Sequence, residues 1–290
     1  MRNAFLFPGQ GSQSVGMGKD LYDSIPKATG LLNEANEILG YDLKKMMFEG
    51  PIEDLTDTRF AQPAIFTCSA MYLEKAKVQG ITYEYVAGHS LGEYSALYAA
   101  GIFDFETGLK LVDKRAKAMA EENGKGIMAA VLGLSEDELK PFIDNRDDVV
   151  MANLNTKTQI VISGTEEGID AVAHELKDRE DISVKKLAVS AAFHSPQMKN
   201  AADIMEKEIN ECDFNIPEVF VVSNVAGRPT KDVEEIKKNL IAQITGQVRW
   251  YDSIIAMKDA GVEAFYECGN GKILRRINKG ITLQPKCLPI

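Results

Sequence analysis

At 290 residues and a formal net charge of −10, the chain is long enough for a large domain carrying a smaller one. It is too acidic for nucleic acid to be its default partner, since phosphate binding needs a concentrated basic surface. No apolar run approaches the roughly 20 residues of a membrane span, and the apolar start Ala4–Phe7 is cut short by Pro8-Gly9, so the expectation is a cytoplasmic protein with no membrane partner.

Asn3–Phe7 reads as a short strand that ends in the loop Pro8-Gly9-Gln10-Gly11-Ser12-Gln13. In open α/β sheets the carboxyl ends of strands are where ligands bind, although glycine and glutamine are also ordinary loop residues. Helical patterns follow at Tyr22–Leu39 and Gln62–Gln79. Next comes a β-branched and aromatic run from Tyr83, halted by Gly88-His89-Ser90-Leu91-Gly92 and continued by the helix-like Glu93–Gly101. Strand, sharp turn and helix around Gly-x-Ser-x-Gly describe a nucleophile elbow, in which small residues let strand and helix approach and the serine hydroxyl projects from a strained corner. Ser90 then sits at the positive end of a helix dipole, with the Leu91 N–H the nearest donor for a developing oxyanion.

Phe105–Glu122 is a helix with Leu109, Val112, Ala116 and Met119 as its stripe. Arg115 lies at the edge of that stripe, partly inward, a position that suits a snorkelling side chain as well as a ligand-binding one. From Gly126 the texture changes to strand 127–133, helix 135–143 with a Ser135/Glu138 capping box, strands 149–152 and 159–163, helix 166–177 and strand 183–189. The order βαββαβ is that of a ferredoxin-like unit, placed here as an insert at 125–190 within a large domain formed by 1–124 and 191–290. The tail resumes alternation with a helix at 197–212, a strand at 219–224, helices at 233–244 and 251–260, a strand at 264–267 and a basic helix from Lys272. Cys68, Cys212, Cys268 and Cys287 lack metal-ligand spacing and read as reduced, buried thiols, with no metal expected.

A serine nucleophile needs a base, and the chain has three histidines. His174 lies opposite the apolar face of its helix. His89 is fixed within the elbow, whereas His194 is held between a strand end and the helix start Ser195-Pro196, so elimination favours His194 over His89. No nearby acid announces itself as the third member, which leaves a backbone carbonyl to hold the imidazole tautomer.

Phe7–Gln13, Ala87–Leu97, Val112-Asp113-Lys114-Arg115 and Phe193-His194-Ser195 together resemble the malonyl-CoA:acyl carrier protein transacylases, in order and over nearly the whole length. The resemblance implies an α/β fold: an α/β-hydrolase-like large domain with a parallel sheet and nucleophile elbow, plus an inserted ferredoxin-like βαββαβ small domain. It also implies that Ser90 is acylated, that His194 is its base, and that the N–H groups of Gln10 and Leu91 form the oxyanion hole. The main-chain carbonyl of Gln243 would orient the histidine, and Arg115 would grip the free carboxylate of the acyl group. Gly9 and His89 would line the substrate site, and the bulk of Phe193 would favour malonyl over methylmalonyl. The implied partners are a coenzyme A thioester and an acyl carrier protein that bears its own phosphopantetheine, so no cofactor is expected on this chain. Ala191–Ser195 looks more like the free-standing acyltransferases of polyketide synthases, and both fatty-acid and polyketide roles fit. Gln247-Val248-Arg249-Trp250, Gly269-Asn270-Gly271-Lys272 and Thr156–Gln159 depart from common family loops. An acyl hydrolase using the same elbow is the alternative enzyme, and a catalytically dead docking module the alternative of another class. For carrier docking, Lys272, Arg275, Arg276 and Lys279 fall on one helical face, a pattern shared by any solvated basic face.

Overall fold

A computed structural model describes residues 2–290. Strand β1 (Asn3–Phe7) is buried throughout and leads through the glycine loop to α1 (Lys19–Ser24) and α2 (Pro26–Leu39). The single helix expected over 22–39 is two, because Pro26 supplies no N–H and forces Ile25 into an extended conformation (φ −124°, ψ 106°), so the proline begins a new helix. Helices α3 (Leu43–Glu49) and α4 (Ile52–Thr56) are too short to display a full period in sequence. Helix α5 (Thr58–Val78) begins earlier than Gln62 because the Asp57 carboxylate caps the Arg59 N–H.

The elbow follows as β2 (Tyr85–Gly88) and α6 (Gly92–Ala99), then α7 (Phe105–Ala120), capped by Asp104. The middle of the chain is β3 (Ile127–Leu132), α8 (Glu136–Ile143) with the expected capping box, β4 (Val149–Thr156), β5 (Gln159–Gly164), α9 (Glu166–Leu176) and β6 (Ser183–Lys186). After a 3₁₀ turn at Pro196–Met198 come α10 (Lys199–Glu211), β7 (Phe220–Val222), β8 (Pro229–Thr230), α11 (Val233–Ala242), α12 (Trp250–Asp259), β9 (Ala264–Glu267), α13 (Ile273–Lys279) and β10 (Cys287–Pro289). The helix read as starting at Gln197 thus begins as a 3₁₀ turn, the expected strand 183–189 stops at Lys186, and 149–152 extends to Thr156.

Two sheets organise these elements. One has six strands in the order β10-β9-β1-β2-β7-β8, parallel except for β8, with helices on both faces; the other has four antiparallel strands in the order β4-β5-β3-β6. Alternation divides the second sheet between two tasks. Ala129, Val131, Ile160 and Ile162 pack with Leu139, Ile143, Ile169 and Val172 of α8 and α9, while Met128 and Val161 join the main core on the opposite face. The two connections between the sheets are tied together, with Gly124 N–H donating to Ser190 O (2.8 Å) and Ala192 N–H to Lys125 O (3.3 Å). A further seam joins β4 to the 247–249 segment, where the Leu154 N–H donates to Val248 O and the Val248 N–H donates to Ala152 O, at 2.8 Å each. Among the described residues no helix is long and apolar enough to cross a membrane. All four cysteines are free; Cys68 and Cys268 are buried as expected, but Cys212 and Cys287 are only half-buried.

Candidate active site

The elbow needs glycine on both sides of Ser90 because three backbones meet there. A Cβ on Gly88 would fall 1.8 Å from the Gly92 carbonyl, and one on Gly92 would fall 2.0 Å from the Phe7 oxygen of β1. Ser90 itself has φ +52° and His194 has φ +55°, the only non-glycine residues among those described with positive φ. Such strain persists only where neighbours hold it. Here Asn224, just beyond β7, accepts the Ser90 N–H at Oδ1 (2.8 Å) and donates from Nδ2 to Gly88 O (2.6 Å). Gln243, just beyond α11, donates from Nε2 to Ser90 O (2.8 Å).

The Ser90 hydroxyl donates to His194 Nε2 at 2.7 Å, and His194 Nδ1–H donates to the main-chain oxygen of Gln243 at 2.9 Å. A backbone carbonyl therefore sits where an acid would stand in a charged triad. His194 is only 3% exposed. Burial first, then the positive charge of Arg115, pushes its pKa down to about 3. The imidazole should therefore keep its neutral, Nδ1-protonated form from pH 8 down to pH 5. Nitrogen-15 NMR of the histidine rings checks this, and a His194 titration centred near the ordinary 6.5 would contradict it. Because the unfolded chain binds this proton below about 6.5 and the folded chain does not, the residue draws down stability as pH falls through that window.

Gly9 brings the Gln10 loop against the elbow, for a Cβ there would stand 2.4 Å from the His89 oxygen. The Gln10 side chain turns away, donating to Thr58 Oγ1 at 3.2 Å. Among the described residues the backbone N–H groups of Gln10 and Leu91 have no acceptor, which leaves both available to an oxyanion. His89 does not reach the serine hydroxyl. Its Nε2–H donates to Asn155 Oδ1 (2.8 Å) from the four-stranded sheet and its ring packs 5.5 Å from that of Trp250, so of the two histidines only His194 meets the serine; burial lowers the His89 pKa as well. His174 is exposed on α9, as expected.

Arg115 is more deeply placed than the edge of a helical stripe suggests, at 1% exposure. Its Nη1 donates to Gln62 Oε1 (2.8 Å), and Nη2 donates to Gln243 Oε1 (3.0 Å) and Ser90 Oγ (3.1 Å). The guanidinium lies 5.5 Å from the centre of the Tyr94 ring. No carboxylate pairs with it among the described residues, and its Nε has no partner. A buried, charged group satisfied only by neutral amides and a hydroxyl is a ready receptor for an anion.

These groups open onto a cavity of about 270 Å³. Its lining includes Ser90, His194, Arg115 and Phe193, together with Met128 and Val161 of the four-stranded sheet and Ile273 and Ile277 of α13. The basic helix is arranged differently from the expectation. Lys272 precedes α13, and Arg275 turns back to give Nε to Glu267 Oε2 (3.0 Å), neutralising a carboxylate that is 1% exposed. Lys272, Arg276 and Lys279 stay exposed and free of ion pairs among the described residues. Sequence reading missed Gln62, Glu93, Asn155 and Asn224. The one available signal for Gln62 was an amide within the apolar run Phe60–Phe66, and for Asn224 its place at a strand's carboxyl end.

An acyl transferase domain model matches residues 4–268. The malonyl CoA-acyl carrier protein transacylase of Bacillus subtilis (strain 168) is 42% identical over 293 residues, covering 99% of this chain and 92% of its own. A polyketide biosynthesis malonyl CoA-acyl carrier protein transacylase of the same organism is 40% identical over 290 residues, covering 97% of this chain and 99% of its own. The crystal structure of the malonyl-CoA:ACP transacylase of Synechocystis sp. PCC 6803 matches with a TM-score of 0.93 at 38% identity, covering 100% of this chain and 97% of that one. With such identity over nearly the whole chain, the chain belongs to the malonyl CoA-acyl carrier protein transacylase family.

Proposed function

We propose that this chain moves a malonyl group from malonyl-CoA to the phosphopantetheine thiol of an acyl carrier protein through a malonyl-Ser90 ester. The observation that carries the reading is the buried guanidinium of Arg115, unpaired by any carboxylate and 3.1 Å from the nucleophile. Ser90 Oγ attacks the thioester carbonyl while its proton passes to His194 Nε2, and the N–H groups of Gln10 and Leu91 receive the oxyanion. Collapse expels the coenzyme A thiolate, which takes the proton from His194. The carrier thiol then enters, loses its proton to His194, attacks the ester, and collapse returns the proton to Ser90. Throughout, the Gln243 carbonyl holds the Nδ1–H, and Arg115 holds the distal carboxylate by a bidentate pair. Gly9 and His89 shape the acyl pocket, and the Phe193 ring occupies the space an α-methyl would need, disfavouring methylmalonyl by about 1 to 3 kcal/mol. Every step is complete with these side chains, and the phosphopantetheine belongs to the carrier, so the chain takes no cofactor or metal of its own.

In this reading 1–124 and 191–290 form an α/β-hydrolase-like catalytic domain and 125–190 an inserted ferredoxin-like unit. The parallel strands behind the elbow and the order β4-β5-β3-β6 of the insert support that division. Four free cysteines suit the cytoplasm. Fatty-acid and polyketide carriers are both fitting acceptors: the relatives are named as malonyl CoA-acyl carrier protein transacylases, one of them of polyketide biosynthesis.

Acyl hydrolysis is the second reading, and Arg115 argues against it because simple esters have no use for a buried guanidinium. A two-step assay separates them. Malonyl-CoA should add one malonyl mass at Ser90, and that mass should leave to a holo-carrier protein at least about tenfold faster than to water; release to water at the same rate would favour the hydrolase. The second step also tests docking of the acidic carrier on the free cations of the α13 region. Lys272→Glu with Arg276→Glu should slow transfer to the carrier at low salt and leave acylation unchanged, while an unchanged carrier step would remove this surface from the reading. Arg275 is left intact because its ion pair with Glu267 is structural.

A further inference from the structure

Directly beneath the nucleophile lies a carboxylate that the transfer chemistry does not use. Glu93, the second residue of α6, is 0% exposed and is absent from the cavity lining. Its Oε2 accepts from Gln243 Nε2 at 2.8 Å and from the backbone N–H of Asn224 at 3.2 Å. Among the described residues its other oxygen has no partner. Burial pushes the carboxyl pKa up to about 7, against the pull of the Gln243 and Asn224 bonds and of Arg115. A group so costly to bury has to be explained by what it holds.

What it holds is the amide of Gln243. In the observed orientation Nε2 serves Ser90 O and Glu93 Oε2, while Oε1 faces Arg115 Nη2 at 3.0 Å. Turned over, the amide would set its NH₂ against the guanidinium and its oxygen against two acceptors. Glu93 Oε2, which also accepts from the Asn224 N–H, presents an acceptor to Gln243 and makes that second arrangement costly.

We infer that Glu93 is a positioning residue: by anchoring the Gln243 amide it aims the Arg115 guanidinium at the carboxylate of the acyl group. It acts through Gln243 and touches neither substrate nor nucleophile. The Ser90–His194 pair depends on the main-chain oxygen of Gln243, which an amide turn leaves in place. Loss of Glu93 therefore harms donors that carry a carboxylate more than donors that lack one. The inference rests on Arg115 as the carboxylate receptor, and the experiment keeps the two apart.

Single-turnover acylation of Ser90 is measured with malonyl-CoA and with acetyl-CoA in the parent, Glu93→Ala, Glu93→Gln and Arg115→Ala proteins, with thermal melts alongside. Glu93→Ala should lower the malonyl-to-acetyl rate ratio by about tenfold or more, as small misplacements at a reacting group can. Glu93→Gln, whose amide oxygen can accept the same two N–H bonds, should stay within about threefold of the parent ratio. A folded Glu93→Ala with the parent ratio overturns the inference, as does a Glu93→Gln that falls as far as the alanine protein. If Glu93→Ala does not fold, Gln243→Leu removes the amide and keeps the main-chain carbonyl; it must show the same selective loss, and an unchanged ratio overturns the inference. An Arg115→Ala protein that loses both donors equally would instead refute the carboxylate receptor itself.

Discussion

A Ser90→Ala protein will gain no malonyl mass from malonyl-CoA, and its transfer of malonyl to a carrier protein will fall by at least about a thousandfold. The expectation is this large because, in the mechanism proposed above, one oxygen carries both half-reactions. Ser90 Oγ is the atom that meets His194 Nε2 at 2.7 Å and Arg115 Nη2 at 3.1 Å, and the described residues offer no second hydroxyl or thiol between them. The fold should survive the change. The backbone bonds from Asn224 and Gln243 that pin the φ of +52° are made to main-chain atoms, which alanine retains. Intact-mass measurement after incubation with malonyl-CoA checks the prediction, and an adduct of undiminished yield would move the nucleophile elsewhere.

The second large effect belongs to Arg115→Ala. Removing one partner of a buried charge pair typically costs about 2 to 5 kcal/mol, or roughly 30-fold to several-thousandfold in rate. Malonyl transfer should fall within that range and acetyl transfer far less, because acetyl brings no carboxylate to the guanidinium. Part of any loss will be structural, since the substitution also strips the Gln62 and Gln243 amides of a donor. Arg115→Met, which keeps much of the volume without the charge, separates these contributions. A methionine protein that loses malonyl and acetyl transfer in equal measure would show that the guanidinium does not select the acyl group.

Ser90 and His194 were legible because each advertises itself locally. Glycines flank one at fixed spacing, and a serine cap followed by proline fixes the other. The groups around them carry no such mark. Gln62 meets Arg115 across 53 residues, Asn224 meets Ser90 across 134, and Gln243 meets Glu93 across 150, so their purpose exists only after the strands have paired. Periodicity assigned Arg115 to the edge of its helix and Arg275 to a solvent face, yet both are decided by what lies opposite. For Arg115 that is a pocket of neutral amides; for Arg275 it is the buried Glu267 carboxylate. The break between α1 and α2 is different in kind, since Pro26 and the restriction it places on Ile25 were visible in the sequence and were outweighed by the apolar pattern on either side.

The alternation along β3 and β5 bears on how such a protein can diverge. Ala129, Val131, Ile160 and Ile162 maintain the small sheet on its own helices, whereas Met128 and Val161, one residue out of phase, face the cavity above Ser90. Drift at the first set is constrained by folding alone. Drift at the second alters the lining of the cavity that holds Ser90 while leaving the small sheet's own packing on α8 and α9 in place, so on the proposed reading a lineage can reshape the space for an acyl donor at two strand positions without substituting Ser90 or His194.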